Sequence, residues 1–434
     1  KQWMGRIETA RRQSRAGDVM VLSGETPTWV MRLEAKRMSG KALTKLQRYR
    51  LALDAYDEAL EIDPKDLESR RQRGMLLGRI GRREEARTWV QSMQEEFPDD
   101  VETSALMGRI QKEDWITRWR KKDKTPAQMR AQAARDEALL HEAIKPYFHA
   151  FVLDSSHFYS GINALTLCHL HRHIGGRLPL EIDLAQLEGG VLWSCLSALE
   201  AHDKNYWARI TLAELKMLSL DKDEALKFYR YAVATVDNDW FALDSTRQQL
   251  MILRDLEFRS EAVGAVLAEI ETEITNLSGP LTPRKVFLFS GHMIDAPDRE
   301  TPRFPPEREA AARELIEAQL KELEGGELDL GICSGACGGD LLFAEACLAR
   351  GTRVQLYVPF EEAEFVQKSV AFPKDGQKWR ARFAAVKAHE KTTLLVMPDE
   401  LGELPKRVNA FERVNMWQLF TALAFGAERL HFIC

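Results

Sequence analysis

The residues with the clearest chemical potential lie in "GICSGACGGDLLFAEACLARG", residues 331–351 of a 434-residue chain. Ser334, Gly335, Ala336, Cys337, Gly338, Gly339 and Asp340 separate an apolar run that reads as a strand from a helix-like pattern. Glycines let backbone N–H groups approach a ligand without side-chain obstruction. A helix starting near Asp340 would aim its positive end at the same place. That pairing suits a phosphate or a sugar edge; a tight turn without a ligand is the other reading. No Lys-Ser/Thr follows the glycines, so this is not a P-loop, and the spacing is not G-x-G-x-x-G.

A second group follows the run 285–290, in "SGHMIDAPDRETPRFPPE". Ser290, Gly291, His292, Arg299 and Arg303 would meet the glycine loop at the carboxyl edge of a parallel sheet, where ligands of such sheets sit. A connection this long and proline-rich suits a binding loop. His292 reads as a donor to phosphate or base, or as a surface histidine. Asp340 reads as a helix N-cap or as an acceptor for ribose hydroxyls, because a carboxylate there repels an anion. Glu345 carries the same ambiguity between solvated helix surface and ligand contact. Asn409 and Arg413 stand near the start of a helical pattern at 409–426 and offer further contacts, whereas Asn415 reads as solvated helix face. His169 and His173 are spaced for one helix face, as zinc ligands are, but form no H-E-x-x-H arrangement, and Cys168 beside them reads as core. No metal site, cofactor or catalytic residue is assigned.

The elements that would position these groups change character along the chain. Up to about residue 275 apolar residues recur at three and four, with Ala, Leu, Arg, Glu and Lys abundant, which predicts helix. "NLSGPLTPRK" then breaks the pattern with Gly279, Pro280 and Pro283, which puts a boundary near 280. Five β-rich runs follow, "KVFLFS", "LDLGICS", "VQLYVPF", "TTLLVMP" and "RLHFIC", separated by helical patterns at 306–324, 340–350, 377–389 and 409–426. The expected fold is therefore an all-α repeat array followed by a Rossmann-like parallel-sheet domain.

The helical half repeats. Gly40, Gly74 and Gly108 are 34 apart (74 − 40 = 34; 108 − 74 = 34), and Pro64 and Pro98 keep the step. Ala52, Tyr56 and Ala59 precede the first proline as Ala86, Val90 and Met93 precede the second. This resembles the tetratricopeptide repeat, a helix–turn–helix of that period. Ala213, Ala225, Tyr229 and Ala232 keep the offsets in a degenerate later unit. "FYSGINALTL", "YWARITLAEL" and "STRQQLMIL" are similar to the TRAFs-binding domain beside the kinase of stress-activated MAP3 kinases, over roughly 33–275. That likeness implies a platform for proteins. Repeats serving as scaffold alone is the alternative.

"KVFLFSGHMID", the glycine loop with its "AEACLARG" helix, and "VQLYVPF" resemble the SLOG branch of Rossmann-like nucleotide-binding domains, over about 284–434. The resemblance implies that Ser334 to Asp340 and Ser290 to His292 contact a nucleotide or NAD-derived signal in bacterial immunity. It also raises a LOG-like phosphoribohydrolase, an N-glycosidase with Asp340 or Glu345 as its acid. The second LOG loop, P-G-G-x-G-T with a glutamate, is absent from this chain, so binding is preferred to hydrolysis. The divisions expected are a helical lead-in (1–32), tetratricopeptide-like repeats (33–115), the region resembling the TRAFs-binding domain (116–276) and the SLOG-like domain (284–434).

Composition excludes some partners. The net charge of −5 gives no bulk attraction for nucleic acid, and no run reaches the length of a membrane span. Six cysteines with no Cys-x-x-Cys pair suit a reducing cytoplasm. The chain starts at Lys1, so the expectation is a piece of a longer protein whose effector lies outside it. Homo-oligomerisation stays open.

Overall fold

In the computed structural model the described residues are 2–25, 29–177, 182–219, 222–236, 239–277, 282–406 and 408–434. Contacts divide the chain into two units, one formed by Lys1–Asp63 with Pro280–Cys434, the other by Pro64–Gly279. The first unit is thus built from both ends of the chain.

That unit opens with α1 (Gln2–Arg12), α2 (Ala16–Gly24), α3 (Arg32–Lys45) and α4 (Tyr49–Ile62). The inserted unit contains α5 (Leu67–Arg79), α6 (Arg83–Glu96), α7 (Val101–Trp119), α8 (Pro126–Arg135), α9 (Glu137–Leu153) and α10 (Phe158–His173). It continues with α11 (Leu184–Ala201), α12 (Tyr206–Ser219), α13 (Lys222–Val233), α14 (Trp240–Asp255) and α15 (Ser260–Leu277). Local chemistry sets several boundaries. Asp66 and Asp100 cap α5 and α7, accepting from the amides of Ser69 (2.9 Å) and Thr103 (2.8 Å). Thr125 and Gln128 form a capping box on α8, with Pro126 at its first position. Pro64 and Pro98 follow the ends of α4 and α6, where the preceding residues leave the helical region.

The repeated glycines hold helices together at close range. A Cβ on Gly40 would fall 2.5 Å from the Tyr56 ring, and one on Gly74 would fall 2.7 Å from Val90. Both partners lie 16 residues on (56 − 40 = 16; 90 − 74 = 16). Gly108 breaks the offset, since its close neighbour is Tyr147 at 2.7 Å, 39 residues on (147 − 108 = 39). The reason is the interposed α8, which makes α9 the packing partner of α7. Ala213, Ala225, Tyr229 and Ala232 of the degenerate unit are all buried on the α12–α13 hairpin.

The α/β part of the first unit runs β1 (Val286–Phe289), α16 (Glu309–Glu322), β2 (Leu330–Cys333), α17 (Gly339–Ala349), β3 (Arg353–Val358), α18 (Glu362–Phe365), α19 (Gly376–Ala388), β4 (Thr392–Val396), α20 (Ala410–Leu423) and β5 (Leu430–Ile433). All pairings are parallel, in the order β4-β3-β2-β1-β5, with Phe287 opposite Gly331 and His431. The first three crossovers step one way and the last reverses. Right-handed connections then put α16, α17 and α19 on one face and α20 on the other. Phe289 stacks on Phe343 at 4.9 Å beneath α17.

The α20 face is closed by the N-terminal helices. Gly17 of α2 lies so near α20 that a Cβ would fall 2.2 Å from Thr421 Oγ1. Beside this contact Trp417 Nε1 donates to Asp18 Oδ1 at 2.7 Å, and Arg413 holds the Glu25 carboxylate through two N–H groups, at 2.9 and 2.5 Å. Burial pushes the carboxyls of Asp18 and Glu25 upward, opposed by Arg15 and Trp417 at the first and Arg413 at the second. Gly17→Ala should destabilise the protein by about 1–3 kcal/mol, the usual cost of overpacking. Thr421→Ala in the same chain should restore most of the loss, since it removes the hydroxyl in the way. Additive losses in denaturant titrations of the four variants would refute this contact.

Candidate functional site

The glycine loop does join β2 to α17, and its conformation needs glycine at two positions, Gly335 (φ +81°) and Gly338 (φ +98°). What lies against the bare backbone is the protein itself. Met293 bridges Gly338 in antiparallel fashion; Ile294 N donates to Cys337 O at 3.2 Å, and Gly339 N donates to His292 O at 3.1 Å. A Cβ on Gly338 would fall 2.7 Å from Ile294 N. Gly291 and Gly339 also meet closely, each fitted against the Phe289 ring. The amide of Cys337 donates to Ser369 O at 2.9 Å.

Asp340 is buried under this loop and takes the remaining amides that face inward. Ala336 N donates to its Oδ2 at 3.1 Å, and the amides of Gly335 and Ser334 also bond to the carboxylate. Loss of solvent raises its pKa to about 7 against the pull of those three amides. Nearby thiols are inert for a related reason: burial pushes Cys337 to about 12 and raises Cys333 and Cys347 further.

The other sequence-derived candidates divide by exposure. Ser290 and His292 are exposed at the end of β1, and Ser334 at the end of β2 accepts from Gln418 Nε2 at 2.7 Å. Arg299 lies on the exposed loop, paired with Asp295 at 3.4 Å and donating to Thr301 O at 3.0 Å. Asp295 also accepts from the amides of Arg303 and Phe304, both at 2.9 Å, which shapes the long connection. Glu345 is away from the loop. Arg382 clasps it twice at 2.6 Å and Arg313 reaches it at 3.0 Å, tying α17 to α19 and α16. Asn409 forms a capping box with Glu412. Arg413 is buried, and besides Glu25 it donates to the carbonyls of Gly402 and Leu401, both at 2.7 Å.

A cleft of about 510 Å³ opens beyond the carboxyl ends of β3 and β4. Arg6, Phe360, Pro398, Asp399 and Glu403 line it, with Arg413 at its wall. Its volume is that of a small-molecule site, and it opens at the carboxyl ends of β3 and β4, away from the reversal between β1 and β5 where open parallel sheets most often bind ligands. Of the residues singled out from sequence, Arg413 borders this cleft and the glycine loop does not.

Two constellations in the helical unit escape a reading of local motifs. Lys112 donates to Asn163 (2.7 Å) and Gln249 (3.1 Å), and Glu214 accepts from Gln249 (2.8 Å) and Thr166 (2.7 Å). Burial raises the Glu214 pKa, with Thr166 and Gln249 opposing. The second lies around His171. His169 and His173 both turn toward Phe258, His173 also meeting Leu256 O at 2.9 Å, whereas buried His171 faces Glu137 and His141.

Residues 48–168 match the family model for Tetratricopeptide Repeats-Sensor. No curated protein sequence matches the chain. Among solved structures it is similar to a thermophilic tetratricopeptide-repeat protein of Thermus thermophilus, at 17% identity over 50% of this chain and 99% of that one, with a TM-score of 0.36. It is also similar to the human IFIT1 dimer with m7Gppp-AAAA, at 11% identity over 82% of this chain and 72% of that one, with a TM-score of 0.29. The repeats are tetratricopeptide-like. No helix among the described residues is long and apolar enough to cross a membrane.

Asp340 binds its proton more tightly in the folded chain than in the unfolded one. Its contribution to stability is therefore full below pH 3.8 and is lost as pH climbs through about 7. Asp340→Asn keeps an acceptor for the amides without the charge. The variant should gain on the parent as pH rises from about 4 to about 7 and hold a constant lead above that, by at most about 4 kcal/mol, from roughly three pH units at about 1.36 kcal/mol each. Parallel curves of Tm against pH for the two proteins would contradict the buried-carboxyl assignment.

Proposed function

We propose that this chain is a regulatory docking protein. Its tetratricopeptide-like helices hold a protein partner, and its α/β unit takes a nucleotide or NAD-derived small molecule, as the SLOG likeness implies, in a bacterial immunity or stress pathway. The observation that carries the docking role is a set of aromatics on consecutive helices of the inserted unit: Trp193 on α11, Trp207 on α12 and Tyr231 on α13 are 75%, 42% and 63% exposed. Single exposed apolar residues are ordinary, but Trp and Tyr are the residues on which protein interfaces most depend. Arg209 lies 4.3 Å from the Tyr231 ring, adding a cation to the aromatic surface.

The ligand role draws support from the strand-end cleft of about 510 Å³ and from the exposed Ser290 and His292 at the same edge of the sheet. Recognition at this edge rests on side chains, because the amides of Ser334, Gly335, Ala336, Cys337 and Gly339 already serve Asp340, Ser369 and His292. A cytoplasmic setting accords with six cysteines, all free and five of them buried. The glycosidase reading is the weaker one, since Glu345 is clasped by Arg313 and Arg382 and Asp340 faces the loop's own amides.

Two measurements test the proposal. In-cell crosslinking in the native host should yield a discrete partner adduct that disappears in the Trp193→Ala/Trp207→Ala variant while its Tm is kept; an unchanged adduct would remove the docking surface. Titration calorimetry with cyclic nucleotides and ADP-ribose derivatives should give saturable binding that Phe360→Ala or His292→Ala weakens, and flat traces across the series would end the ligand role.

A further inference from the structure

The helical unit brings three metal-ligating side chains to one point. Glu137 and His141 stand one turn apart at the start of α9, and His171 comes from the last turn of α10. His171 Nε2 is 2.6 Å from Glu137 Oε1 and 3.2 Å from His141 Nε2, and the third edge, Glu137 Oε1 to His141 Nε2, is 3.8 Å. A triangle with these sides has one point about 2 Å from every corner, the bond length zinc takes to imidazole nitrogen and carboxylate oxygen. The edges straddle the roughly 3.3 Å between ligand atoms of a tetrahedral zinc ion.

Protons alone serve this arrangement badly. His171 Nε2 faces both a carboxylate and a second imidazole nitrogen, and one proton on it satisfies a single partner. A cation meets all three electron pairs together. His171 is fully buried, which places the attraction in a poorly solvated setting, while the side chains of His141 and Glu137 are 31% and 43% exposed and leave an approach from solvent. The backbone amide of Arg177 also bonds the Glu137 carboxylate, a support typical of a metal-binding carboxylate.

Gly176 packs closely against the edge of the His171 ring. A Cβ there would fall 2.0 Å from His171 Nε2. Gly175 needs glycine for its φ of +94°, but Gly176 has no such backbone requirement. The missing side chain at 176 keeps the space beside the donor nitrogen clear.

We propose that Glu137, His141 and His171 bind one divalent transition-metal ion of the zinc class, with the fourth position open to water. Binding takes the place of the proton between His171 Nε2 and Glu137, which the neutral ring then carries on Nδ1, and forms three metal–ligand bonds that pin the start of α9 to the end of α10. The site lies wholly in the helical unit and stands or falls apart from ligand binding by the α/β unit.

The test is titration of the metal-free full chain with Co2+, followed by visible absorption, with Zn2+ as competitor. The expected result is one equivalent of Co2+ with the intense bands of a tetrahedral site, displaced by Zn2+. Affinity should drop roughly tenfold or more in His141→Gln, as loss of metal-site groups does. His141 is partly exposed, so its variant keeps the fold, which circular dichroism verifies. No saturable band, or equal affinity in His141→Gln, overturns the proposal, the second outcome marking adventitious binding to surface histidines.

Discussion

The α/β unit depends on a contact made between residues nearly 400 positions apart. A parallel sheet needs cover on both faces, and among the described helices after residue 280 the connections put α20 on the second one. α2 completes that cover through the glycine contact at Gly17, the Asp18–Trp417 hydrogen bond and the Glu25–Arg413 pair. Asp18 is buried and Glu25 half-buried, so their partners offset a desolvation cost that an exposed pair would not face. Arg413 is pivotal in a further way, because the guanidinium that holds Glu25 also holds the carbonyls of Leu401 and Gly402 and forms part of the cleft wall. The cleft and the docking of the N-terminal helices therefore share a residue.

Much of the architecture was legible from local signals. The five strands, the helices between them and the 34-residue glycine period follow from alternation, breakers and spacing, which are properties of neighbouring residues. The shift of Gly108 from the expected partner to Tyr147 was not legible, because α8 interrupts the repeat without disturbing its helical periodicity. Nor did anything mark α1 and α2 as parts of the α/β unit. Gly17 and Trp417 carry no motif, and their relation exists only once the sheet has placed α20.

The glycine loop illustrates why residue type alone underdetermines a site. Glycine permits close approach by any atom, and at Gly338 the atoms that approach are those of His292 and Ile294. Asp340 was readable as a cap or a ligand contact, and the structure gives it the amides of its own loop. The Glu137, His141 and His171 cluster shows the converse. Its i, i+4 pair on α9 was visible in principle, but the third member arrives from another helix, and the nearby His169 and His173 drew attention by their spacing while turning toward Phe258.

The division of the chain also bears on its birth at the ribosome. Residues 1–63 emerge before residues 64–434, yet the surface they cover is finished only when β5 has been made. For all of that interval α2 has no α20 to meet, while the intervening 216 residues (279 − 64 + 1 = 216) can condense around a core of their own. Until then the face of α2 that meets α20 stays uncovered, open to chaperones or to wrong neighbours. Translation speed and chaperone supply should thus govern the yield of this protein more strongly than they would for a chain whose domains close in the order they are made.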